Sequence, residues 1–211
     1  MDSNKYLEDI SEIKNMMSRS SRFISLSGLS GIMAGIYALI GAYLAHGIMT
    51  DAGRDYFSGR ADVTGSDALR IDALYGIAIG VLVAAVVTGI ILTIRKSRKS
   101  GEKIWDVSSK RLVLNFLIPL LAGGVFCLVL IQYGIVWLVA PATLIFYGLA
   151  CVNASKYTLG DIRYMGIAFI VLGLINTQFI GYGLYFWALG FGVFHILYGA
   201  IMHFKYDKTS S

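Results

Sequence analysis

The sequence predicts an all-α fold, a polytopic transmembrane helical bundle with six spans and both termini cytoplasmic. Three observations carry that expectation. First, 56% of the 211 residues are apolar and 15% are charged, against about 45–50% and about 25% in soluble domains. That balance excludes a water-soluble globule and a disordered chain. Second, the apolar residues fall into six runs, each close to the roughly 20 residues that cross about 30 Å of hydrocarbon. Third, Lys and Arg crowd into alternate connections, the pattern that orients membrane chains.

The runs are residues 23–48, 71–94, 112–132, 135–153, 164–180 and 184–204. The first is too long for the apolar core of a signal peptide, about 7–15 residues. Its end, Tyr43-Leu-Ala-His46, also offers no small-x-small cleavage site, so it reads as a retained span. The fifth is the shortest. One side collects fifteen cations: Lys5, Lys14, Arg19 and Arg22 before the first run, seven in residues 95–111, Lys156 and Arg163 between runs four and five, and Lys205 and Lys208 in the tail. The other side holds Arg54, Arg60 and Arg70. Fifteen against three places both ends of the chain in the cytoplasm. Runs three and four turn at Gln132-Tyr-Gly134, and runs five and six at Gly181-Tyr-Gly183. Turns this short predict antiparallel neighbours. The two hairpins also share a faint pattern: Gly134 to Trp137 then Tyr147-Gly148, and Gly183 to Trp187 then Tyr198-Gly199. A one-residue gap is needed to align them.

Three segments lie outside the apolar runs. Residues 4–22 read as an amphipathic helix, with Tyr6, Ile10, Ile13 and Met17 on one face and Glu8, Asp9, Glu12 and Lys14 on the other. It suits an interfacial helix or a docking surface for a cytoplasmic protein partner, and its acids disfavour anionic lipid. Arg95, Lys96, Arg98, Lys99 and Lys103 form a juxtamembrane basic cluster, read either as a topology determinant or as a contact for anionic lipid. Without interleaved aromatic residues it is a poor nucleic-acid surface. In the 50–70 loop, Asp51, Asp55 and Asp62 match three positions of a calcium loop. Tyr56 stands where that loop requires Gly, so a solvated turn explains the residues better.

Inside the runs, ionisable groups are the default functional candidates because lipid penalises them. No Asp, Glu, Lys or Arg lies mid-run, which argues against acidic proton relays and against paired-carboxylate proteases. His195 is the exception, about 16 Å into the sixth run at 1.5 Å per residue. Three roles remain open for it: a hydrogen bond between helices, a cavity or pore lining, or a metal or haem ligand. His46 and His203 lie near the ends of their runs, so neither supplies a second axial ligand at that depth. Asn176, Gln178 and Asn115 complete the polar candidates for a cavity or pore. Ser27, Gly31 and Gly35 recur every four residues on the first run, as do Gly76 and Gly80 on the second. That spacing serves close helix packing, within the chain or across a homo-oligomer. Cys127 and Cys151 differ in depth by roughly 18 Å on a straight hairpin, too far for a disulfide. No C-x-x-C occurs, and neither a metal nor a cofactor is expected.

The segments Tyr147-Gly-Leu-Ala-Cys-Val-Asn-Ala-Ser-Lys156, Asp161-Ile-Arg-Tyr164 and Ser21 to Gly31 after Tyr6-Leu-Glu-Asp-Ile resemble an uncharacterised family of small six-span bacterial inner-membrane proteins. The resemblance implies that membrane, no assigned activity, and a setting in which a winged-helix regulator often accompanies the protein. Three functions are therefore expected in order: a non-catalytic sensor, regulatory or scaffold component, a channel or carrier for a small neutral solute, and an intramembrane enzyme. The last lacks clustered acids, bases or nucleophiles.

Overall fold

The computed structural model describes residues 27–48, 65–100 and 105–207, with side chains from 72 onward in the second of these, up to 99, and up to 205 in the third. The amphipathic segment 4–22, the calcium-like spacing at 51–62, Lys103 and the end of the tail lie outside the described residues. All described regular structure is helical. We number the helices α1 (Gly28–Ile48), α2 (Gly65–Ser100), α3 (Val107–Gln132), α4 (Val136–Tyr157, with a 3-10 turn at each end), α5 (Ile162–Asn176) and α6. The last runs without a break through Gly183–Trp187 (α), Ala188–Phe194 (π), His195–Met202 (α) and His203–Asp207 (π).

Five of the helices are long and apolar enough to cross a membrane, while α5 is a shorter apolar helix. Leu, Ile, Val and Phe side chains stand exposed along every face that does not meet a neighbour. Such a surface is unsuited to water and ordinary in lipid, where burial of apolar groups no longer drives helices together and close packing must do so instead.

Helix ends follow local chemistry. At α3, Asp106 Oδ1 accepts from the Ser109 amide at 2.6 Å, and Ser109 Oγ accepts from the Asp106 amide at 2.9 Å. This reciprocal pair satisfies two donors that the helix start leaves open. Asp106→Ala should cost about 1 kcal/mol, read as a lowered midpoint in detergent unfolding. An unchanged midpoint would remove the cap from the account. Gly134 and Gly181, in the two tight turns, have φ of +73° and +88°, backbone that favours glycine.

The helices are arranged in space as α2, α1, α6, then α4 with α5, then α3. Contact is closest where glycines face backbone. A Cβ on Gly31 would stand 3.2 Å from the Gly199 Cα, and one on Gly35 2.6 Å from the Gly192 oxygen, so α1 and α6 nearly touch. The same holds between α4 and α5, where Gly148 faces the Gly166 oxygen and Gly166 the Gly148 oxygen. On α2 the expected pair behaves differently: Gly76 and Gly80 have nothing within 4 Å. The helix leans on α1 through Val81 against Gly41, and through Tyr37 Oη 3.2 Å from Thr88 Oγ1, on another face.

The second tight turn makes a looser hairpin than the first. The backbones of α3 and α4 pack along much of their length, while α5 and α6 meet mainly through Phe169, Phe191, Phe194 and His195. Bulky rings hold that pair apart, and α5 takes α4 as its close partner. Each turn thus holds one glycine of positive φ, but the two hairpins do not share a packing mode.

Candidate functional site

The polar centre of the bundle is built by α4 and α6. His195 is 8% exposed. Its Nε2 lies 2.7 Å from the Tyr147 hydroxyl, and its Nδ1 lies 3.4 Å from the Gly190 carbonyl. That carbonyl can only accept, so Nδ1 carries the hydrogen. In the neutral ring Nε2 then accepts, and Tyr147 O–H donates to it. Cys151, one turn along from Tyr147 on α4, is a buried free thiol.

The local backbone helps to set this geometry. His195 directly follows the π stretch Ala188–Phe194. A π turn widens the helix and changes the direction of everything after it, and such turns are frequent at functional sites. Gly190 lies beneath Leu144, Leu172 and Phe169, where a Cβ would come within 2.5 Å of Leu144 Cδ2. The wide turn is thereby seated against α4 and α5. Aromatic rings close the surroundings: Tyr147, Phe169 and Phe191 lie 5.3, 5.3 and 5.9 Å from the imidazole centroid, and Phe116 of α3 meets Tyr147 edge-on. A polar couple enclosed this way fixes the relative rotation of α4 and α6, because either partner alone would be left buried and unsatisfied.

The other candidates lie at other levels. Asn115 is near the start of α3. Its side-chain Nδ2 donates to its own helix at Arg111, while its backbone oxygen accepts from Asn153 Nδ2 at 2.8 Å, joining α3 to α4. Asn176, at the far end of α5, is 3% exposed, and its Nδ2 has no hydrogen-bond partner among the described residues. Gln178 lies in the turn beyond and donates to Thr177 Oγ1. The structure therefore distributes His195, Asn115 and the Asn176–Gln178 pair over three depths. Ser27 immediately precedes α1, its carbonyl accepting from Ser30 Oγ at 2.6 Å. Cys127 and Cys151 are buried free thiols, and among the described residues no three His, Cys, Asp or Glu converge on a point.

Sequence reasoning singled out His195 but missed Tyr147 as its partner, and Asn153 as the partner of Asn115. A signal was present: Tyr147 lies twelve residues beyond Ile135 and His195 eleven beyond Leu184, equal depths in two runs pointing the same way. At one end of the bundle stand all the described Lys and Arg side chains: Arg95, Lys96, Arg98, Lys99, Lys110, Arg111, Lys156, Arg163 and Lys205. There Lys205 Nζ meets Asp161 Oδ2 at 2.7 Å. The opposite end is marked by His46 Nε2, 3.2 Å from Tyr185 Oη. No protein-family model, curated protein or solved structure matches this chain.

Proposed function

We propose that the chain is a six-span membrane protein without a catalytic site, a sensor, regulatory or scaffold component that engages a protein partner on its basic, cytoplasmic side. The observation that carries this reading is the centre of the bundle. His195, which stands mid-run where no Asp, Glu, Lys or Arg occurs, is absorbed by Tyr147 and Gly190 and enclosed by aromatic rings. The other polar candidates lie at separate depths, and among the described residues no hydrogen bond joins them to His195. The gathering of cations at one end supports a cytoplasmic placement for that end. In a six-span reading, α5 crosses with help from the adjoining turn: its 15 residues span about 22 Å at 1.5 Å each. The resemblance described above implies a bacterial inner membrane.

Three measurements test this reading. Lys205→Cys should react with an impermeant maleimide in inside-out vesicles and stay unreactive in intact cells; the reverse result would overturn the orientation. Reconstituted protein should show no glycerol or urea flux above protein-free liposomes, while deletion of residues 4–22 should release a partner crosslinked in cells. The competing reading, a carrier for a small neutral solute, draws on the unsatisfied Asn176 amide. Flux that disappears in Asn176→Leu or His195→Leu would establish it in place of the first.

A further inference from the structure

We infer that the ends of α2 and α3 that residues 101–104 join form a headgroup site for an anionic phospholipid. Residues 95–111 contain seven cations and two acids, a net charge equal to the +5 of the whole chain. Arg95, Arg98 and Lys99 are exposed on the last turns of α2, and Lys110 and Arg111 are exposed on the first turns of α3. Five peptide steps separate Ser100 from Trp105, so the two ends lie no more than about 18 Å apart. Asp106, the acid of this stretch with a described side chain, is occupied by the α3 cap. Among the described residues no carboxylate pairs with Arg95, Arg98, Lys99, Lys110 or Arg111, whereas Lys205 at the same end is paired with Asp161.

Two features separate this patch from a topology signal alone. Cations at the end of α2 complement the negative end of that helix dipole, whereas Lys110 and Arg111 follow the positive end of α3, which the Asp106 carboxylate already meets, so an anion between the two groups would be held by cations of two helices rather than one. The flanks also suit a lipid rather than a soluble anion. No extensive contact joins α2 to α3, and Leu114, Ile118, Leu121 and Val125 on α3, with Val86 and Ile90 on α2, are open to acyl chains. Trp105, 64% exposed, falls between the two cation groups in the sequence, a residue type that anchors at headgroup level. The proposal rests on the membrane placement above and is independent of the regulatory role.

The test uses the full-length protein in nanodiscs of phosphatidylcholine doped with phosphatidylglycerol, with bound lipid counted by native mass spectrometry. At about 1 kcal/mol per cation, Arg95→Gln/Arg98→Gln/Lys99→Gln should weaken phosphatidylglycerol retention about 150-fold, and Lys110→Gln/Arg111→Gln about 30-fold. Lys156→Gln/Arg163→Gln removes two cations from the same end at other helices, and should change it by less than about threefold. Equal loss per charge in all three variants would reduce the patch to a diffuse surface potential and overturn the site. Displacement of the lipid by a short polyglutamate or oligonucleotide at matched charge would overturn it in favour of a soluble polyanion. All substitutions are at exposed positions, and unchanged thermal midpoints would show that the bundle is intact. Topology and flux are measured separately, so failure of this site leaves the functional reading standing.

Discussion

Gly199→Ala is expected to separate α1 from α6 and to be among the most damaging single-methyl changes in the protein. The added Cβ would stand 2.5 Å from the Ile32 nitrogen and 2.7 Å from the Gly28 oxygen. Both are backbone atoms, so no rotamer change relieves the clash and a whole helix must move. Overpacking of this kind costs typically 1–3 kcal/mol, occasionally more, and a valine should exceed the alanine. Gly148→Ala should behave alike, because its Cβ would meet the Gly166 oxygen at 2.6 Å. The contrast is α2. Gly76→Ala and Gly80→Ala meet nothing within 4 Å, and each should be neutral or stabilising by about 0.5–1 kcal/mol through helix propensity. Reversible unfolding in mixed micelles measures all four. A Gly199→Ala protein as stable as its parent would show that α1 and α6 do not pack as described. Marked destabilisation by Gly76→Ala would reveal a close neighbour for α2 that the monomer lacks, such as a second copy.

The second large effect is expected at the buried couple. Tyr147→Phe leaves His195 Nε2 without a donor, and His195→Leu leaves the Tyr147 hydroxyl without its acceptor. A buried group stranded in this way costs about 1–3 kcal/mol. Coupling energies between membrane helices average about 0.6 kcal/mol and reach about 1.7. Enclosure by Phe169 and Phe191 argues for the upper part of that range. The double variant should therefore lose less than the two single variants together, with a coupling near 1 kcal/mol. Strict additivity would mean that the 2.7 Å contact contributes nothing to holding α4 against α6. The same variants bear on function: if the couple is structural, Tyr147→Phe should alter stability without opening a solute path.

The six runs were readable because lipid imposes a coarse and local demand, about 20 apolar residues at a time. Helix α3 ends at Gln132, where the run was expected to end, and α4 begins one residue after the expected Ile135. The fifth helix came out shorter, closing at Asn176, because residues 177–181 are taken up by the turn that leads into α6. Depth along the membrane normal was legible too, since each residue adds a fixed rise. On that basis His195 stood out as a mid-run residue.

Which faces meet was not legible. A helix that is apolar all round carries no stripe pointing to its neighbour, so Gly31, Gly35, Gly76 and Gly80 looked equivalent. Tertiary packing made the first pair a backbone contact with α6 and left the second facing open space. The π stretch before His195 was equally hidden: Gly190 within it is seated under Leu144, Leu172 and Phe169, contacts between residues distant in the chain. Composition and charge thus dictated that this protein is helical, apolar and divided between a strongly basic end and one with few cations, because transfer from water to lipid is additive over residues. The choice of partner for each helix, and the pairing of His195 with Tyr147, depended on rotation about each helix axis, and only shape complementarity between neighbouring surfaces sets that angle.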